Sequence, residues 1–250
     1  MPARKNSITL VLILIVAAAC LLLPASHART PDDNPAKRWE KDIQRFEAWD
    51  AQNAWPQAPI LFAGSSTIRM WQTRDAFPDL PVINRGFGGS QIPEVNYYLD
   101  RVVLKYAPSV IVFYCGDNDV ASGSAPEKVL NDYKTFVARV HTALPKTQII
   151  FLTIKPSGSR WHLWPTMNEA NNLIRQFTET NERLHFVDLA QCLLKNGQPD
   201  DALFLPDRLH LNPAGYDRWN ERLAPILQKT IEKKLTCPLH NPDGPSIATP

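Results

Sequence analysis

Residues 109–119 have the sequence SVIVFYCGDND, which joins an apolar run to a short polar segment. Residues 110–114 are all β-branched or aromatic, the types that favour strands. The run is continuous rather than alternating, and Gly116 follows it closely. This pattern predicts a short strand that is buried on both faces, as strands are in parallel sheets covered by helices.

Apolar runs on either side of this stretch alternate with longer amphipathic segments. Strands are predicted at residues 59–63, 82–84, 109–114, 148–153 and 185–188. Helices are predicted at residues 36–50, 66–74, 91–105, 126–144, 163–180 and 213–235. The alternation predicts an α/β fold, a three-layer α/β/α sandwich whose central parallel sheet has about five strands.

The N-terminus has the three-part pattern of a secretory signal peptide. Arg4 and Lys5 precede an almost unbroken apolar run at residues 8–23, and small residues surround a cleavage site after Ala28. We expect residues 1–28 to be a signal peptide, 29–35 a linker, 36–235 one domain and 236–250 an irregular tail. The protein is then exported, to the periplasm or outside the cell. An uncleaved membrane anchor and a lipoprotein processed at Cys20 are the alternatives.

Charge and cysteine content exclude some classes of function. Removal of residues 1–28 leaves 25 Lys and Arg against 25 Asp and Glu, so no basic excess indicates a nucleic-acid partner. Cys115 lies in an apolar run and is expected to be a buried free thiol, whereas pairing of Cys192 with Cys237 is left open. No cysteine or histidine spacing indicates a metal site, and no cofactor is expected.

Ligands of open parallel sheets bind at the carboxyl ends of the strands. The segments that follow the predicted strands there are GSST at residues 64–67, RGFGGS at 85–90, GDND at 116–119 and, after a longer loop, DRLH at 207–210. Together they hold a hydroxyl, a glycine-rich turn, an amide, a carboxylate and an imidazole. This set of groups is suited to nucleophilic acyl transfer.

These segments resemble the four blocks of the SGNH hydrolase superfamily, also called the GDSL esterase/lipase family. FAGSST at residues 62–67 is similar to the first block, although Ser65 and Thr67 replace its usual Asp and Leu. NRGFGG at 84–89, GDND at 116–119 and the Asp-x-x-His spacing at 207–210 are similar to the others. The resemblance covers about residues 59–230 and implies a flavodoxin-like sheet and hydrolysis of carboxylic esters.

The resemblance also implies a role for each site residue. Ser66 would be the nucleophile, His210 its general base and Asp207 the carboxylate that orients the imidazole. The N–H groups of Ser66 and Gly89 and the amide of Asn118 would stabilise the oxyanion. These roles are chemically reasonable, because imidazoles ordinarily titrate near pH 6.5 and Asp207 is only three residues from His210.

Each motif alone has a simpler explanation. An isolated Ser66 is typical of a helix N-cap, and a lone Asp207-x-x-His210 is typical of a surface ion pair. Their joint occurrence at one edge of the sheet favours catalysis. Two alternatives stay open: an acyltransferase that uses the same residues, and a non-catalytic envelope module that binds glycans.

The substrate is the least determined part of the prediction. A short-chain or acetyl ester, an acetylated glycan and a lysophospholipid all fit, so the expected partner is a small-molecule, glycan or lipid ester. Residues 155–165 contain Arg160, Trp161, His162 and Trp164. This segment is expected either to form a wall of the substrate site or to pack on the following helix.

Overall fold

The computed structural model describes residues 34–236, with side chains described as far as residue 232. The five predicted strands form one parallel sheet in the order β2-β1-β3-β4-β5. Their bounds are Ile60–Gly64 (β1), Val82–Gly86 (β2), Val110–Tyr114 (β3), Gln148–Leu152 (β4) and Leu184–Val187 (β5). This order is that of flavodoxin-like folds, and it reverses between β1 and β3.

A helix precedes the first strand, and further helices follow the strands along the chain. They are Glu40–Asp50 (α1), Ser66–Arg69 (α2), Thr73–Ala76 (α3), Ile92–Tyr97 (α4), Leu99–Val102 (α5), Asp117–Ala121 (α6), Pro126–Ala143 (α7), Trp164–Thr178 (α8) and Pro213–Thr236 (α9). A small antiparallel pair, Leu194–Lys195 (β6) and Gln198–Pro199 (β7), lies between β5 and α9.

Two apolar clusters cover the two faces of the sheet, because successive strand residues point to opposite sides. Leu61, Ile111 and Ile149 belong to the cluster that includes residues of α1, α4, α5, α7 and α8. Their neighbours Phe62, Val112 and Ile150 belong to the cluster that includes residues of α2, α3 and α9. The three-layer α/β/α prediction is therefore confirmed.

The structure divides two helices that the sequence pattern predicts as continuous. The segment predicted at 66–74 becomes α2 and α3, and the one at 91–105 becomes α4, α5 and a 3₁₀ turn at Leu104–Tyr106. At the first break, the side-chain amide of Asn84 on β2 donates to the carbonyls of Ile68 and Trp71, at 2.7 and 3.0 Å. Carbonyls at a helix end need such partners, so this amide stabilises the early stop.

Helix α1 is tied to the sheet by a buried ion pair. The guanidinium of Arg85 on β2 lies 2.6 Å from the carboxylate of Asp50, and both side chains are nearly inaccessible. Lys105 and the hydroxyl of Tyr106 also lie 2.6 Å from that carboxylate. Burial acts to raise the pKa of Asp50, but these hydrogen bonds and the charge of Arg85 outweigh it and hold the pKa below its ordinary value.

Several predictions fall on residues outside those described. The signal peptide at 1–28, most of the linker at 29–35, nearly all of the tail at 236–250 and Cys237 lie there. Cys115 is a buried free thiol as predicted, and Cys192, which has no disulfide partner among the described residues, donates to the carbonyl of Leu189. None of the helices between residues 34 and 236 is long and apolar enough to cross a membrane.

Candidate active site

Strand β1 leads into Ser66 through a turn that requires glycine. Gly64 has a φ of 135°, and a Cβ there would lie 1.8 Å from the carbonyl oxygen of Tyr114 on β3. The chain is extended at Ser65, and α2 begins at Ser66. Ser66 is therefore placed at the sheet edge between β1 and β3, where the strand order reverses and where such folds bind ligands.

His210 reaches Ser66 from a closed loop ahead of α9. A β-bridge joins Phe204 to Leu211, and the N–H of Leu205 donates to the carbonyl of His210 at 2.7 Å. The loop turns at Arg208, whose φ of 54° lies in the left-handed region. This geometry places Nε2 of His210 3.0 Å from Oγ of Ser66, a hydrogen-bond distance.

Asp207 contacts the other ring nitrogen of the same histidine. Its Oδ2 atom lies 2.6 Å from Nδ1 of His210, and its Oδ1 atom accepts the backbone N–H groups of Leu209 and His210 at 2.9 and 3.0 Å. Partial burial acts to raise the pKa of Asp207, but these hydrogen bonds outweigh it and lower the pKa to about 2. The carboxylate is therefore ionised at neutral pH and forms a hydrogen bond with Nδ1 of His210.

Gly89 and Asn118, the other predicted site residues, lie in the loops after β2 and β3. Gly89 has a φ of 76°, and a Cβ there would come 3.2 Å from the ring of Trp39. The amide nitrogen of Asn118 donates to the carbonyl of Ser90 at 3.0 Å. Its second N–H, like the backbone N–H groups of Ser66 and Gly89, has no hydrogen-bond partner among the described residues.

Comparison with protein families gives an assignment of the chain that does not depend on this geometry. The model of the GDSL-like lipase/acylhydrolase family matches residues 63–218, which is more than half of the chain. The chain belongs to this family. The GDSL family resemblance inferred from the four blocks is thereby confirmed, and the protein is a hydrolase of ester bonds.

Solved structures of GDSL and related proteins share the fold at low sequence identity. A Streptococcus pneumonia protein provisionally described as a platelet activating factor is 24% identical, with a TM-score of 0.68 over 76% of this chain and 93% of its own. A GDSL-like lipase from Bacteroides thetaiotaomicron is 18% identical, with a TM-score of 0.64 over 75% of this chain and 98% of its own. An acetylxylan esterase from Geobacillus stearothermophilus, solved as a catalytic mutant, is also 18% identical. Its TM-score is 0.57 over 71% of this chain and 95% of its own. No curated protein matches significantly.

Sequence analysis assigned no catalytic role to three charged residues that lie next to Asn118 in this GDSL protein. Asp117 lies 3.5 Å from Nζ of Lys155 and 3.3 Å from Nη1 of Arg160. The side chains of Lys155 and Asp117 are almost fully buried, and burial lowers the pKa of Lys155. Lys155 follows β4 at the edge that carries the other site loops, and this position was a sequence signal that could have pointed to it.

Two aromatic residues of the same loop make packing contacts, which is one of the two roles that the sequence left open. Trp164 packs against the apolar core, as the packing alternative expects. Trp161 stacks on Trp164, with ring centroids 6.0 Å apart and an interplanar angle of 11°, and it is half-buried. The ring of Trp161 is thus held by this stacking contact while part of it stays exposed.

Within residues 34–236, no group of three or more His, Cys, Asp or Glu side chains lies close enough together to hold a metal ion.

Proposed function

We propose that the chain is a serine-dependent carboxylic ester hydrolase that works through an acyl-Ser66 intermediate. The observation that carries the proposal is the continuous hydrogen-bonded chain from Oγ of Ser66 through the imidazole of His210 to the carboxylate of Asp207, at 3.0 and 2.6 Å. A serine hydroxyl is a weak nucleophile until a base accepts its proton, and this chain supplies the base and the group that orients it.

The reaction follows from these contacts. Oγ of Ser66 attacks the ester carbonyl while its proton passes to Nε2 of His210. The carbonyl oxygen becomes an oxyanion, which the N–H groups of Ser66 and Gly89 and the amide of Asn118 stabilise. The tetrahedral intermediate collapses, and the imidazolium protonates the departing alcohol. Water, deprotonated by His210, then attacks the acyl-serine and releases the acid and free Ser66.

The proposed substrates are short-chain or acetyl esters, acetylated glycans and lysophospholipids. Acetyl esters are the first class to test, because an acetylxylan esterase shares the fold, although at 18% identity. The partly exposed ring of Trp161 offers a flat apolar face of the kind on which sugar rings stack, which supports an acetylated glycan. Export of the protein is proposed from residues 1–28 alone.

Replacement of the nucleophile tests the mechanism. Ser66→Ala should abolish turnover of p-nitrophenyl acetate and labelling by a fluorophosphonate probe, while the melting temperature stays close to that of the wild type. Ser65→Ala is the matched control, because this neighbouring serine is fully buried and its hydroxyl has no hydrogen-bond partner among the described residues. Full turnover in Ser66→Ala would refute the assignment.

Product analysis separates hydrolysis from acyl transfer by the same residues. The purified protein is incubated with an acetyl ester in the presence and absence of an excess of xylose or glycerol. Free acetate as the main product in both mixtures supports hydrolysis. Acetylated acceptor as the main product would identify a transferase instead.

A further inference from the structure

The side-chain amide of Asn118 is held from both ends. Its Oδ1 atom accepts a hydrogen bond from Nη2 of Arg160 at 3.0 Å, and its Nδ2 atom donates to the carbonyl of Ser90 at 3.0 Å. If the amide were flipped, two donors would face each other at Arg160 and two acceptors at Ser90. Only one orientation therefore satisfies both neighbours.

This orientation matters because the amide has two N–H groups and one is already used. The bond to Ser90 leaves a single N–H for a substrate oxygen. Arg160 contributes a charge-assisted hydrogen bond to the opposite end of the amide, and such bonds are about twice as strong as neutral ones. By drawing electron density toward Oδ1, the guanidinium also makes Nδ2 a better donor.

The guanidinium is itself fixed by its surroundings. Asp117 lies between Arg160 and Lys155, with its carboxylate 3.3 Å from Nη1 of the arginine and 3.5 Å from Nζ of the lysine. The N–H of Ser159 donates to the carbonyl of Arg208 at 3.0 Å, which ties this loop to the loop of Asp207 and His210. The side chain of Arg160 is only 19% exposed, so water screens its charge weakly.

We propose that Arg160 is a positioning residue for the oxyanion: it orients and polarises the amide of Asn118 so that its free N–H meets the developing negative charge. The proposal rests on the serine hydrolase function proposed above. It assigns to Arg160 an effect on the transition state rather than on binding of the ground state, because the oxyanion exists only after attack by Ser66. The loss should appear in kcat, with KM little changed.

The first test compares Arg160→Met with Arg175→Met, both on p-nitrophenyl acetate. Removal of a whole oxyanion donor typically costs about 10² to 10³ in rate, so loss of its support should lower kcat about 10- to 100-fold. Arg175 also pairs with a carboxylate and covers a phenylalanine ring, but its side-chain contacts are with Asp188 and Phe186 and not with a residue of the proposed site. Arg175→Met should keep wild-type kcat. Wild-type kcat in Arg160→Met would overturn the proposal and leave the serine mechanism intact.

A double-mutant cycle separates positioning from a structural role. Arg160→Met added to Asn118→Ala should lower kcat by less than about threefold, because the amide through which Arg160 acts is already absent. A structural role predicts that the two losses multiply, and that result would overturn the proposal. Guanidine added to Arg160→Ala should restore part of kcat, but not when Asn118→Ala is also present.

Labelling of Ser66 by a fluorophosphonate gives a second measure that needs no turnover. The phosphoryl oxygen of the probe takes the place of the oxyanion, so the labelling rate should fall in Arg160→Met as kcat does. Melting temperatures show whether each variant is folded. If wild-type protein neither turns over esters nor labels, the proposed function fails and the role of Arg160 fails with it.

Discussion

The carboxylate of Asp119 accepts the backbone N–H of Ile92 at 3.0 Å, and this bond links the loop after β3 to the start of α4. The side chain is almost fully buried. Burial raises the pKa of Asp119 to about 7, the charge of Asp117 adds to the rise, and the N–H of Ile92 opposes it. The two loops that carry Gly89 and Asn118 are therefore joined through a carboxyl group that titrates near neutral pH.

Asp119 should make stability depend on pH. Between pH 4 and about 7 the folded protein holds a proton that the unfolded chain has released, so the free energy of unfolding falls as pH rises through this window. Asp119→Asn keeps an acceptor for the N–H of Ile92 and removes the titration. Urea unfolding at several pH values should show that the free energy of unfolding of the variant rises relative to that of the wild type between pH 4 and about 7. Above that pH the difference should stay constant. A difference that does not vary with pH would contradict this expectation.

Asp207→Asn should impair catalysis with little effect on folding. The neutral amide no longer stabilises the imidazolium, and it can present a donor to Nδ1 of His210 in place of an acceptor. Loss of the corresponding acid in a serine protease costs about 10⁴ in kcat, and we expect a loss of about 10² to 10⁴ here. The side chain of Asp207 is 47% exposed, so the melting temperature should change little. A variant that retains most of its kcat would show that the carboxylate is not needed.

Gly89→Ala should lower esterase activity more than a matched glycine substitution. The φ of Gly89 is 76° and that of Gly123 is 88°, so alanine at either position costs about 1–2 kcal/mol of stability through backbone strain. Only at position 89 does the new Cβ meet another group, 3.2 Å from the ring of Trp39, whereas nothing lies within 4 Å at position 123. Comparison of kcat/KM for the two variants isolates the effect at the site. Equal losses would argue against a role for Gly89.

Arg85→Met should destabilise the fold strongly. Removal of one partner from a buried ion pair typically costs about 3–5 kcal/mol, because the other charge stays buried. Arg175→Met removes a similar pair at the surface, where both side chains are more than a third exposed, and should cost at most about 1 kcal/mol. Urea denaturation of the two variants measures the difference. Since Lys105 also contacts Asp50, a small loss in Arg85→Met would mean that this lysine alone neutralises the carboxylate.

The parallel sheet was predictable because each strand is a short apolar run bounded by turn residues, and the run at 109–114 needs burial on both faces. The break between α2 and α3 at Met70–Gln72 was not predictable, because the amide that satisfies the end of α2 comes from Asn84 on strand β2. Helix α6 was also missed. It is only five residues long and gives no periodicity. Gly116 and the acidic residues that follow it were nevertheless a usable signal in the sequence.

Residues joined by local geometry were easier to place than residues joined across the fold. Asp207 and His210 share one loop, so their contact follows from their spacing. The position of Ser66 relative to His210, 144 residues away, was inferred from the order of motifs along the chain and from their placement at one edge of the predicted sheet. Arg160 was left without a role because its contact with Asn118 depends on how the loop after β4 folds back, which no local pattern encodes.

The bridge between Phe204 and Leu211 closes the base of the loop that carries both Asp207 and His210. A hinge movement of this loop would therefore carry the carboxylate and the ring together, and their hydrogen bond would survive it. The bond from the imidazole to Ser66 and the bond from Ser159 to Arg208 would lengthen instead. The tautomer of the base is therefore fixed within the loop, whereas its contact with Ser66 depends on where the loop lies.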